Sequence, residues 1–127
     1  VKKSLILAGA LIGLLPLGGC VGLNPNVATP QQVIVASNAF DAAEATATNY
    51  LRLPPCPTQK VCRDASVVAK LVPAVRTARG ARDSLIGYVK SNPGQNAPVT
   101  LIDALTTSVT TLTSLETQYS VAAATAK

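Results

Sequence analysis

Apolar and small side chains recur along this chain at alternating steps of three and four. Val33, Ala36, Phe40, Ala43, Ala47 and Tyr50 form one such series, which is the stripe of an amphipathic helix and not the alternation of a strand. The residues ahead of it read as a helix start. Thr29 suits the cap, Pro30 the first helical position where no N–H is needed, and Gln32 the third position of a capping box. Leu53-Pro54-Pro55 ends the helix, because proline lacks the donor and forces the residue before it out of helical geometry. A second stripe of Val67, Val68, Leu71, Val75, Ala78, Leu85, Ile86 and Val89 opens on Asp64 as cap and stops at Asn92-Pro93-Gly94. Pro73 inside it predicts a kink near Ala69–Val72, and Gly80 weakens it further. A third helix is expected from Thr100, with Asp103 completing a capping box, and its stripe is Ile102, Leu105, Val109, Leu112, Leu115 and Tyr119. Seven threonines from Thr100 to Thr117 lower its intrinsic helicity, and a strand over 106–113 is the alternative, disfavoured by the three-and-four spacing. Short connections make neighbouring helices antiparallel. The expected fold is all-α, a small up-down-up three-helix bundle over residues 29–127.

The first twenty residues follow another pattern. Lys2 and Lys3 precede Leu5–Leu15, which is continuously apolar or small. Eleven helical residues at ~1.5 Å each span roughly 16 Å, about half a bilayer core, so the segment suits a signal peptide better than a stable anchor. Pro16 ends it, and Leu17-Gly18-Gly19-Cys20 follows. These four residues resemble the lipobox of bacterial lipoproteins. Leu17 and Gly19 stand where that motif has a branched apolar and a small residue, and Gly18 is a less usual middle residue. The resemblance implies diacylglycerol on the Cys20 thiol and cleavage just before it; an ordinary secretory signal with an incidental cysteine is the alternative. The implied organisation is a signal at 1–19, a lipidated tether at 20–28 rich in turn formers (Gly22, Pro25 and two asparagines), and the helical domain at 29–127. Val21, not Asp, after the cysteine favours the periplasmic face of the outer membrane over the inner membrane. Val1 in place of Met fits a GTG start in a bacterial or phage reading frame.

Composition narrows the picture. Of 127 residues, 48% are hydrophobic, yet the chain has one Phe, no Trp and no Met, so its core is filled by Ala, Val and Leu. Such a core suits close helix packing and is ill suited to a cavity for a small ligand. Without Lys2 and Lys3, nine Lys/Arg face six Asp/Glu, an excess of only +3. That is too mild for a nucleic-acid partner, and three Tyr and one Phe offer little for base stacking.

The three cysteines sharpen the export argument. If Cys20 carries lipid, Cys56 and Cys62 remain as a pair with five residues between them, and an oxidising compartment favours a disulfide. A loop this small gains only ~2 kcal/mol in the chain-entropy model. Zinc is the competing reading, but the chain has no histidine to complete a tetrahedral site, and a redox pair would be closer in sequence. No metal or cofactor is expected.

Charged residues that interrupt the stripes are the remaining candidates. Arg82 projects into the second stripe and Glu116 into the third. Glu44, Arg76 and Glu116 fall at one level of a symmetric bundle and could form a polar layer; the competing reading lets Arg82 and Glu116 snorkel at the bundle edge. Arg76, Arg79 and Arg82, with Lys90 beyond, form a basic side that could meet anionic headgroups or an acidic partner, although Asp83 partly neutralises it and a solvated face is the plainer reading. Asp41 and Glu44 share a face, but nothing converges on them to make an acid/base pair. The chain has no histidine, phosphate loop or nucleophile elbow, so an enzyme is not expected.

Tyr50-Leu51-Arg52-Leu53-Pro54-Pro55-Cys56, Cys62-Arg63-Asp64 and Val67-Val68-Ala69-Lys70-Leu71 are similar to a pattern in small uncharacterised lipoproteins of alphaproteobacteria and their prophages. The resemblance covers about residues 50–71 and the signal, and it implies a cell-envelope protein with no assigned chemistry. The expected function is a membrane-anchored structural or protein-interaction module with an envelope protein partner. The alternative is a phage lipoprotein acting in host lysis, as outer-membrane spanins do, or in superinfection exclusion. Spanin subunits of that kind are usually shorter and richer in proline.

Overall fold

The computed structural model describes residues 26–125; the expected signal segment at 1–19 and the lipobox-like residues ending at Cys20 lie outside them. Three long helices, α1 (Pro30–Leu51), α2 (Ala65–Ser91) and α3 (Val99–Gln118), are followed by a short α4 (Val121–Thr125). The all-α expectation agrees with this, but the three-helix bundle does not: the domain has four helices. Two-residue strands β1 (Val27–Ala28) and β2 (Ala97–Pro98) pair antiparallel, with Val27 opposite Pro98 and Ala28 opposite Ala97.

α1 begins as its sequence dictates. The Gln32 amide donates to Thr29 Oγ1 at 3.3 Å, the Thr29 amide donates to Gln32 Oε1 at 2.7 Å, and Pro30 occupies the first turn. At α2, Asp64 Oδ1 accepts from the Ser66 hydroxyl at 2.6 Å and from the Ser66 amide at 2.7 Å, which together hold the Asp64 carboxyl below its usual range. α2 runs unbroken through Pro73. Ala69 and Pro73 are both exposed, so the carbonyl freed by the missing N–H lies on the solvent side.

The start of α3 departs from expectation. Its cap is Pro98, with no side-chain hydrogen bond, so the Thr100–Asp103 capping box does not form. The β1–β2 pairing positions this end instead, and the Val99 amide donates to the Asn26 carbonyl at 3.1 Å. Along α3 the hydroxyls of Ser108, Thr110, Thr111, Thr113 and Thr117 each donate to the carbonyl four residues earlier. These bonds occupy side chains that would otherwise compete for backbone groups outside a helix.

α3 ends because Ser120 takes a left-handed conformation, φ 50°. Tyr119, expected inside the third helix, is the C-cap residue. The chain then turns back through α4, and Val121 is completely buried against the bundle. Val121 belongs to the single core with Phe40, Leu71, Leu85, Leu105 and Leu112 as its other large members. Ala43, Ala47 and Ala78 let the helices approach closely.

The connection between α1 and α2 is tied at several points. The Asp64 amide donates to Tyr50 Oη at 2.8 Å, the Arg63 guanidinium to the Leu51 carbonyl, and the Arg63 amide to the Pro54 carbonyl at 2.9 Å. Cys56 and Cys62 are disulfide-bonded, and the Cys56–Pro57 peptide is cis.

Candidate functional site

Ion pairs between α1 and α2 define the waist of the bundle. Arg79 Nε donates to Glu44 Oε1 at 2.8 Å, and Arg82 Nη2 lies 3.6 Å from Asp41 Oδ1. Partner numbers fall along α2 as they rise along α1, so these helices are antiparallel. Arg82 also approaches Asp83 and places its guanidinium 5.6 Å from the centroid of the buried Phe40 ring. Its side chain is 37% exposed, so the stem covers Phe40 while the head reaches the edge of the bundle. The two carboxylates nearest one another in sequence, Asp41 and Glu44, each face an arginine of α2.

Glu116 behaves differently. Its residue exposure is 8%, and Oε1 is buried without a hydrogen-bond partner. Burial raises its carboxyl from 4.5 to about 7, with the Ala47 backbone opposing the shift. The snorkelling reading therefore holds for Arg82 and not for Glu116. Nor does the polar layer form, because Glu44 bonds Arg79 and Arg76 is exposed. The residue that would have announced the burial is Ala47, a small side chain on α1 whose backbone lies against Glu116.

The predicted basic side is only partly a free surface. Arg79 and Arg82 are turned to Glu44 and Asp41, while Arg76 and Lys90 are exposed. Among the described residues, no group of three or more His, Cys, Asp or Glu is placed to hold a metal.

An apolar groove was not foreseen. Gln31, Gln32, Val35, Ala36 and Ala39 of α1 face Ile102, Thr106 and Val109 of α3 across about 510 Å³. Numbers rise together on its two walls, so α1 and α3 are parallel. A smaller, mainly apolar recess of about 250 Å³ lies on the other side of α1, lined by Ala28, Pro30, Val33, Ile34, Val89 and Ala97, with Gln95 its one polar residue. The sequence carried one signal for this: Ile34 and Val35 are aliphatic but stand off the α1 stripe. No protein-family model, curated protein or solved structure matches the chain.

Proposed function

We propose that the protein is a lipid-anchored module of the bacterial cell envelope that works by binding an envelope protein, without catalysis. The observation that carries this reading is the Cys56–Cys62 disulfide. A disulfide belongs to an oxidising compartment, which implies export. It also uses two of the three cysteines, and the third is Cys20, which ends the lipobox-like Leu17-Gly18-Gly19-Cys20. Each fact supports the other: the signal explains the compartment, and the bonded pair leaves the lipobox cysteine for acylation.

The domain itself suits a held surface better than a reaction centre. It is a small all-α unit, and among its described residues no helix is long and apolar enough to cross a membrane; the proposed attachment is the lipid on Cys20. Asp41, Glu44 and Asp83 face arginines, Asp64 caps α2, and Glu116 is buried. The lean toward the periplasmic face of the outer membrane follows from Val21.

Membrane fractionation of cells expressing the full chain tests the reading. Wild-type protein should sediment with the envelope and carry the mass of an acylated Cys20, and Cys20→Ala should move to the soluble fraction. Retention of Cys20→Ala in the envelope, with an unmodified wild-type mass, sinks the anchor.

A further inference from the structure

Ile34 and Val35 stand side by side on the second turn of α1, 52% and 48% exposed, the two most exposed large hydrophobic residues among those described. Val35 lines the groove toward α3 with Ile102, and Ile34 lines the recess toward the end of α2 with Val89. Together they make an apolar collar around one pole of the bundle. Contiguous apolar surface of this kind marks a contact site. The pole is also where the chain comes in from its N-terminal segment, since β1 begins at Val27 and the Asn26 carbonyl is held by the Val99 amide at the start of α3.

We propose that this collar rests on the bilayer in which the acylated Cys20 is anchored, with Ile34 and Val35 at the boundary between headgroups and acyl chains and the bundle axis pointing away from the membrane. The proposal rests on the anchor reading given above. Its main support is reach. Asn26 is six residues beyond Cys20, and six extended residues span at most about 20 Å. The collar is therefore confined to a thin layer above the surface, and its meeting with lipid is intramolecular, so a contact too weak to recruit a free protein suffices for a tethered one. The shape of the surface agrees. Lys90 in the last turn of α2 and Asp103 in the first turns of α3 are both exposed at this pole and opposite in sign, so the collar carries no strong net charge, and the exposed polar residues beside it, Gln95 and Asn96, are uncharged. The first charged pair of the waist, at Asp41, lies seven residues farther along α1, about 10 Å away. That spacing places an apolar rim against the lipid and the charged ring in water, as in other proteins that lie on membranes without crossing them.

The chain has no tryptophan, so a single introduced one reports its own surroundings. Acylated protein carrying Val35→Trp or, at the opposite pole, Gln118→Trp is reconstituted into phosphatidylethanolamine/phosphatidylglycerol vesicles containing lipid brominated along its acyl chains. The Val35→Trp indole should emit to the blue and be quenched several-fold more strongly than the Gln118→Trp indole. Ile34→Trp should give the same result and guards against a local disturbance by Val35→Trp. Equal, weak quenching at both poles in protein that still floats with the vesicles overturns the collar contact and leaves the anchor standing. Protein that neither floats nor carries acyl mass overturns the anchor, and the proposal with it. A blue shift without vesicles, accompanied by a doubled mass in light scattering, assigns the collar to a second copy of the chain and also overturns the proposal.

Discussion

The guanidinium carbon of Arg82 sits 5.6 Å from the centroid of the Phe40 ring, and the same side chain reaches Asp41, the residue after Phe40. The most polar side chain in the α2 stripe thus serves as a cover for the largest apolar side chain in the core. Arg82→Ala should lower stability by about 1 kcal/mol, through lost cover and lost cation–π attraction. Arg82→Met, which keeps an apolar stem, should recover about half of that by the same reasoning. Phe40→Ala should cost about 3–5 kcal/mol. Urea unfolding of the three variants checks the order; an Arg82→Ala protein as stable as wild type would show that the cover contributes nothing.

Glu116 makes stability fall as pH rises. Its folded carboxyl is raised from 4.5 to about 7, so between those values the folded state keeps a proton that the unfolded state has lost. The contribution is fully present below pH 4.5 and is gone above about pH 7. The loss is on the order of 3 kcal/mol. Glu116→Gln should be more stable than wild type at pH 8, match it near pH 4.5, and remove this slope. Parallel unfolding curves for the two proteins across that range would contradict the burial argument.

The disulfide closes a short loop, so its contribution is modest. Cys56→Ser with Cys62→Ser should lower stability by about 2 kcal/mol. Far-UV circular dichroism should remain helical, because Tyr50 and Arg63 tie the same connection independently. A variant without helical signal would show that the bond is required for folding itself.

Val121 gives α4 its place in the core. Val121→Ala should cost about 2 kcal/mol, since it removes two buried carbons and leaves a cavity. Chain ending at Tyr119 should be destabilised at least as much. If that truncation unfolds at the same urea concentration as wild type, α4 is an ornament on the bundle.

What the sequence showed plainly was local. The Thr29 and Asp64 caps, the three stripes and the proline stop after α1 depend on residues within a turn of one another, and each is present in the fold. The start of α3 was not legible in the same way, because its position is set by a pairing with residues some seventy positions earlier. α4 spans five residues, too few to show a helical period, and depends on one serine in an unusual conformation. Glu116 was visible as an interruption in its stripe, but whether a carboxyl reaches water depends on what the neighbouring helix places opposite, here the small Ala47. The apolar collar was legible only as a departure: two aliphatic residues where the α1 stripe did not need them.

The β1–β2 ladder gives the domain a defined point of mechanical loading. A pull from the N-terminal side arrives at Asn26, and the first bonds to bear it are those of a two-residue antiparallel ladder and the Val99 amide. Those bonds rupture before force reaches the interdigitated side chains of α1, α2 and α3. Single-molecule stretching from residue 26 should therefore record a small early yield that lengthens the lead by a few residues, followed by a larger event as the helices part. At the root of the proposed lipid tether the strand pair would work as a strain relief, letting the attachment give slightly while the bundle keeps its shape.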